Sequence, residues 1–196
     1  MGNALPNSQQ WRDAKRLRDA GCTIIRVAHY PQDPVVMQMC DKLGLLTSVE
    51  IPIVNAITQS KAFMDNCVEQ ATEMVCQNYN YPSVIIWAYM NEVLLRPPFN
   101  PDNKKERAEY MKFLHQIASA VEAQIRSLDS ERYTCCLVIL LPKSIRKQGL
   151  LNCRCYWDLI FIMDGMVVIW ADLKRNWKNF TRSFLINRCL LPNMGR

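Results

Sequence analysis

Apolar and polar positions follow two alternating patterns along the first two thirds of the chain. Short, continuous apolar runs predict buried strands at 23–29, 45–51 and 84–90. Apolar residues that recur every three or four positions predict helices at about 8–20, 34–43, 61–77 and 100–128. Strand-like residues resume at Tyr133. Repeated strand–helix units with apolar strands indicate an α/β fold, in which helices cover a parallel sheet.

Residues that start and stop helices lie at the expected ends of these segments. Ser8 can cap the first helix, whose inner face is expected to carry Trp11, Ala14, Leu17 and Ala20. Asp33 followed by Pro34 is typical of a cap and a first helical position, and Gly44 of a helix end.

Two architectures fit this order of elements, a doubly wound sheet and a (β/α)₈ barrel, and periodicity alone does not choose between them. A full barrel uses roughly 250 residues, whereas this chain has 196. Any barrel is therefore expected to be partial and open, with unpaired strand edges that favour aggregation.

Polar residues at the carboxyl ends of the strands are the candidates for chemistry, since both architectures place their active sites there. His29 follows the first strand, Glu50 ends the second, and Asn91 and Glu92 follow the third. Glu50 could equally serve as an ion-pair partner, and His29 as a hydrogen-bonded structural histidine. Asn91 and Glu92 emerge from an almost wholly apolar strand, which suits a general acid beside a hydrogen-bond donor.

Three segments carry a resemblance to a known family. They are IRVAHYP at 25–31, MCDKLGLL followed by EIP between 39 and 52, and YPSVIIW leading to Asn-Glu between 81 and 92. In this order they resemble glycoside hydrolase family 2, which includes β-galactosidases and β-glucuronidases. The resemblance covers about residues 10–134 and implies a partial (β/α)₈ TIM barrel with parallel strands and outer helices.

The resemblance also implies a retaining glycosidase that acts on β-linked sugars, galactosides first. Glu92 matches the family's acid/base glutamate. Asn91 matches the asparagine that binds the sugar 2-hydroxyl, and His29 matches a substrate-binding histidine. Glu50 is also expected to bind substrate. Tyr81 departs from the usual histidine. The Glu-x-His segment that holds magnesium in some members is absent, so neither a metal nor another cofactor is predicted.

The last third differs from the rest in composition. Residues 132–196 hold 11 Lys/Arg and 3 Asp/Glu, against 13 and 15 in residues 1–131, and five of the nine cysteines. The odd cysteine count without a C-x-x-C pair argues against a zinc site or a disulfide framework. Reduced core thiols are expected instead at Cys22, Cys40, Cys67 and Cys76.

The composition change coincides with the end of the family pattern, which predicts a frameshift after about Thr134. A shifted reading frame joins the third base of each codon to the first two bases of the next codon. Trp157-Asp158, Met163-Asp164 and Met166-Val167 then encode glycine whatever codons are used. In this frame, 153–169 is compatible with a later barrel segment of the family. Residues 191–195 are likewise compatible with Ser-Glu-Tyr-Gly, which resembles its nucleophile motif.

Two domains follow from this, a partial glycosidase barrel at 1–134 and a basic, cysteine-rich, out-of-frame tail at 135–196. The chain has no glutamate after Glu131, so it is expected to carry only the acid/base part of the site. One alternative is an inactive scaffold or carbohydrate-binding fragment. Another is nucleic-acid binding through the basic tail and its tryptophans, although no known motif is formed.

The remaining expectations concern partners and location. Residues 1–11 are polar and lack the apolar core of an export signal. The apolar stretch 159–171 contains Asp164 and is too short to span a bilayer. No membrane and a cytoplasmic location are therefore expected. The family resemblance implies a carbohydrate substrate, no nucleic-acid partner and a parent enzyme that could be a homo-oligomer.

Overall fold

The computed structural model describes residues 5–100 and 102–136 in full, and the backbone alone of 137, 157–163 and 166–171. The helices are α1 Asn7–Asp19, α2 Pro34–Leu43, α3 Lys61–Asn78 and α4 Lys104–Leu128. The strands are β1 Ile24–Val27, β2 Leu46–Glu50, β3 Val84–Asn91, β4 Tyr133–Leu137, β5 Trp157–Met163 and β6 Met166–Ala171.

Strands β1 to β4 form one sheet in the order β1-β2-β3-β4, and every neighbouring pair is parallel. The predicted parallel arrangement is therefore confirmed. Each crossover moves to the next position in the same direction. Because crossovers between parallel strands are almost always right-handed, their helices fall on one face of the sheet. This order is that of a barrel segment, since a doubly wound sheet reverses direction and places helices on both faces.

Strand β3 is buried on both faces, which accounts for its continuous apolar sequence. Trp87 and Tyr89 belong to the main core, which also contains the inner faces of α3 and α4. Ile86 and Ala88 alternate with them and pack with Cys135 in a separate cluster. The alternation follows from the two-residue period of a strand.

Helix α2 has the ends that its sequence predicts. The Asp33 carboxylate accepts a hydrogen bond from the Val35 N–H, and Pro34 occupies the first helical position. Gly44 ends the helix with a φ of 65°, in the left-handed region where glycine has no steric penalty.

The prediction for α1 was wrong in two respects. The capping position is Pro6, without a side-chain hydrogen bond, and Ser8 lies inside the helix. Trp11 is 36% exposed, and Ala20 is also exposed, whereas Ala14 is buried. A helix this rich in charged residues buries only a narrow stripe, so a three-residue apolar spacing overstates the width of its inner face.

The core thiols were predicted correctly at three positions of four. Cys22, Cys40 and Cys67 are buried, but Cys76 is exposed on α3. In α4, Tyr110 and Ile117 are fully buried, as are Val121 and Ile125. An apolar spacing does not include Tyr110, because its side chain carries a hydroxyl.

A polar cluster fixes the end of the sheet opposite the candidate site. The buried Asp129 carboxylate accepts hydrogen bonds from Trp87 Nε1 at 3.0 Å and Arg132 Nη1 at 2.8 Å. The Arg132 guanidinium also lies over the rings of Tyr79 and Trp87. Burial alone would raise the pKa of Asp129, but hydrogen bonds from Arg132, Trp87 and Glu131 lower it below its ordinary value.

The predicted tail is described only in part. Strand β4 continues to Leu137, so Cys135 and Cys136 are buried in the sheet. Strands β5 and β6 pair with each other in antiparallel fashion. Residues 138–156 and 172–196 lie outside the described part, as do the side chains of the tail tryptophans. The boundary at 134 and the frameshift therefore stay predictions.

Candidate active site

The predicted site residues come from three adjacent strands and meet at one edge of the sheet. Glu50 ends β2 and Asn91 ends β3, while His29 lies two residues beyond β1. The side chain of Arg26, which lies on β1, joins Glu50 to Asn91, and His29 contacts Glu50. Glu92 follows Asn91 directly.

Arg26 and Glu50 form a buried ion pair. The Arg26 Nε donates to Glu50 Oε2 at 2.9 Å, and Nη2 lies 2.9 Å from Oε1 and 2.8 Å from Oε2. The two side chains are 2% and 1% exposed. Such a pair tolerates burial because the planar guanidinium satisfies both carboxylate oxygens.

His29 contacts the same carboxylate from the solvent side. Its Nδ1 lies 2.8 Å from Glu50 Oε1, and its side chain is 45% exposed. Because an ionised carboxylate only accepts hydrogen bonds, Nδ1 must carry the proton. The 3.4 Å contact between this nitrogen and Arg26 Nη2 is then a contact of two donors. The Nε2 atom is the one left to bind a ligand.

Arg26 also fixes the orientation of Asn91. Its Nη2 donates to Asn91 Oδ1 at 2.8 Å, and Asn91 is 2% exposed. With Oδ1 occupied by a guanidinium, the amide cannot flip without losing a charge-assisted hydrogen bond. The Nδ2 group is therefore the donor that Asn91 can offer to a ligand.

Glu92 lies where the strand ends, in an unusual backbone conformation. Its φ is 54°, in the left-handed region, which costs a non-glycine residue roughly 1–2 kcal/mol. Its C=O accepts from the Leu95 N–H at 2.8 Å, which closes a turn. Among the described residues, no hydrogen bond or ion pair engages the Glu92 carboxylate, which is half-buried.

The two carboxylates of the site therefore differ in what they can do. Glu50 forms an ion pair with Arg26 and a hydrogen bond with His29. Its contacts are therefore those of an ion-pair partner, which was one of the two interpretations of its position in the sequence. Glu92 is uncommitted, as a group that exchanges a proton with a ligand must be. Glu50 holds Arg26 and His29 in place, and direct contact with substrate stays a prediction for it.

Arg26 is the residue that sequence reasoning missed. It lies within the first of the three motifs, between Ile25 and Val27. A signal was present, since Arg26 is the only charged residue in an otherwise apolar strand-like run at 23–28. A charge in a buried strand needs a partner, and Glu50 on the next strand supplies it.

Within 5–100 and 102–136, no group of three or more His, Cys, Asp or Glu side chains could hold a metal ion. No helix in the described part of the chain is both long and apolar enough to cross a membrane.

Comparison with known proteins gives several matches. The family described as "Glycosyl hydrolases family 2, TIM barrel domain" matches residues 1–137. A putative β-glucuronidase of Formosa agariphila is 36% identical over 123 residues, covering 62% of this chain and 15% of that protein. A β-galactosidase of Thermoanaerobacterium thermosulfurigenes is 35% identical over 88 residues, covering 44% and 12%.

Solved structures give the same result. A Bacteroides uniformis β-glucuronidase superposes with a TM-score of 0.71 at 33% identity, covering 76% of this chain and 18% of that one. A putative β-galactosidase from Bacteroides fragilis has a TM-score of 0.60 at 28% identity, with 70% and 18% covered. The chain thus spans less than a fifth of each of these relatives. It belongs to glycosyl hydrolase family 2, as part of that family's TIM-barrel domain.

Proposed function

We propose that Glu92 is the general acid/base of a retaining glycosidase that acts on β-linked sugars. The observation that carries the proposal is the contrast between the two carboxylates. Glu92 is uncommitted at the carboxyl edge of the barrel strands, whereas Glu50 is held by Arg26 and His29. The chain as written supplies this half of the site and not the nucleophile.

The proposed mechanism has two steps. In the first, Glu92 donates its proton to the glycosidic oxygen while a second carboxylate, about 5–5.5 Å away, attacks the anomeric carbon. In the second, Glu92 takes a proton from the water that releases the sugar. The Asn91 Nδ2 group donates to the sugar 2-hydroxyl, and His29 Nε2 binds the sugar from the exposed side.

The relatives support this reaction class. The matching curated proteins are named β-glucuronidases and β-galactosidases. One similar solved structure is a Bacteroides uniformis β-glucuronidase covalently bound to cyclophellitol-6-carboxylate aziridine. β-Galactosides and β-glucuronides are therefore the two substrate classes to test.

Restoring the reading frame after Thr134 gives the enzyme in which the proposal is testable. The chain as written has no glutamate after position 131, and we propose that the shifted frame encodes the nucleophile. Sequencing the gene decides this directly, since family-like coding in the shifted frame supports it. A tail coded in its present frame in related genomes would refute it.

The activity test compares the chain as written with the frame-restored enzyme on aryl β-galactosides and β-glucuronides. We expect turnover only from the restored enzyme. Glu92→Gln should lower its rate on substrates with poor leaving groups by about 10²–10⁴-fold. The control is Glu109→Gln, the same change at an exposed position of α4, which should leave the rate unchanged. Substantial turnover by the chain as written would show that another residue acts as nucleophile.

A further inference from the structure

One buried side chain joins the two loops that surround Glu92. Tyr110 lies in α4 and is fully buried. Its hydroxyl donates to the Val93 C=O at 2.8 Å and accepts from the Ile57 N–H at 2.9 Å. Val93 belongs to the loop after β3, and Ile57 to the loop after β2.

The same two loops are bonded to each other on both sides of Glu92. On one side, the Asn91 N–H donates to the Ile53 C=O at 2.8 Å, and the Asn55 N–H donates to the Asn91 C=O at 3.0 Å. On the other, the Arg96 N–H donates to the Asn55 C=O at 3.1 Å. Between them, the Tyr110 hydroxyl bonds to Val93, the residue that follows Glu92, and to Ile57 of the other loop. A left-handed conformation of a non-glycine residue needs support from its surroundings, and these hydrogen bonds hold the residues on both sides of Glu92.

The Tyr110 hydroxyl must be protonated to donate its hydrogen bond to Val93. Burial raises the pKa of Tyr110 above its ordinary value, although the hydrogen bond from Ile57 acts in the opposite direction. The phenol therefore keeps its proton at neutral pH and remains a donor to Val93. The ring is packed against Phe99 with centroids 5.2 Å apart, so the hydroxyl has little freedom to move.

We propose that Tyr110 is a positioning residue for the acid/base Glu92, acting by holding the Val93 carbonyl and the Ile57 amide at a fixed separation. The inference rests on the proposed role of Glu92. A tyrosine that served the core alone would contribute stability without any preference for the proton-transfer step. Tyr110→Phe separates the two roles because it keeps the ring and removes only the hydroxyl.

The first measurement uses the 196-residue chain and amide hydrogen exchange, read by mass spectrometry on peptides covering 51–60 and 91–99. Tyr110→Phe should speed exchange in both segments by at least about fivefold, since it leaves a buried N–H and a buried C=O unpaired. Ile117→Val, a fully buried change on the same helix, should not speed exchange in these two segments more than in the rest of the chain. Wild-type exchange in Tyr110→Phe would overturn the proposal.

The second measurement uses the frame-restored enzyme and two β-glycosides of the same sugar, one with a methoxide and one with a 2,4-dinitrophenolate leaving group. The methyl glycoside needs a proton from Glu92, and the dinitrophenyl glycoside does not. Tyr110→Phe should lower kcat/KM on the methyl glycoside by about tenfold or more, and on the dinitrophenyl glycoside by less than about threefold.

Equal losses on the two glycosides would overturn the Tyr110 proposal and leave the proposed function standing, because wild type would still hydrolyse both. Failure of the wild-type restored enzyme on both substrates would instead refute the proposed function itself, and the catalytic role of Tyr110 with it. Ile117→Val serves again as the control, with equal and small effects on both substrates expected.

Discussion

Replacing Arg26 by methionine should destabilise the barrel segment more than most single changes. Methionine keeps an unbranched side chain of similar reach but leaves Glu50, which is 1% exposed, with His29 as its remaining polar partner. It also removes the donor to Asn91 Oδ1. Removing one member of a buried ion pair costs about 3–5 kcal/mol. Because each 1.4 kcal/mol is about a factor of ten, local opening should become at least about 10²-fold more frequent.

The assay is amide hydrogen exchange on peptides covering β1, β2 and β3 of the 196-residue chain. The matched control is the double variant Arg26→Met/Glu50→Leu, which removes both charges together. It should recover most of the loss, since an apolar pair of similar volume is often neutral or stabilising. A single variant that exchanges at the wild-type rate would refute the reasoning. A double variant that exchanges as fast as the single one would do so as well.

Two further predictions concern groups away from the site. Burial raises the pKa of Cys40 and of Cys67 to about 11, with Asp41 adding to the effect at Cys40. Iodoacetamide at pH 8 should therefore modify the exposed Cys76 before Cys40 and Cys67, and peptide mapping that found Cys40 or Cys67 modified as fast would contradict their burial. The lowered pKa of Asp129 contributes stability that is fully present above its ordinary value of 3.8 and is lost as the pH falls through the lowered pKa. Wild type should lose more stability between pH 5 and pH 2 than Asp129→Asn, measured by urea unfolding followed by circular dichroism; equal losses would exclude this role of Asp129.

The strands and their parallel arrangement were accessible from sequence, because a strand that is buried on both faces has a continuous apolar sequence. Val84 to Met90 could not be mistaken for an exposed strand, and the polar residues after it marked the edge of the sheet. The choice between barrel and doubly wound sheet was not accessible in this way. That choice depends on the direction of each crossover, which no local sequence pattern encodes. The barrel was predicted from the family resemblance instead.

Contacts within the site were less accessible. The link from Arg26 to Asn91 joins residues 65 positions apart, and the spacing of motifs does not show which oxygen accepts from which nitrogen. Tyr110 was missed for a related reason, since its hydroxyl satisfies backbone groups of two irregular loops. Loops without periodicity carry no sequence signal for such a partner.

The central claim is that Glu92 exchanges the proton in both steps of the reaction. It is tested most directly by azide added to frame-restored Glu92→Gln acting on a 2,4-dinitrophenyl β-glycoside. This substrate forms the covalent intermediate without acid help, after which water lacks its base and release becomes slow. Azide is anionic and needs no base. The claim predicts that azide raises kcat and that the product is the β-glycosyl azide, whereas an unchanged rate with only free sugar as product would contradict it.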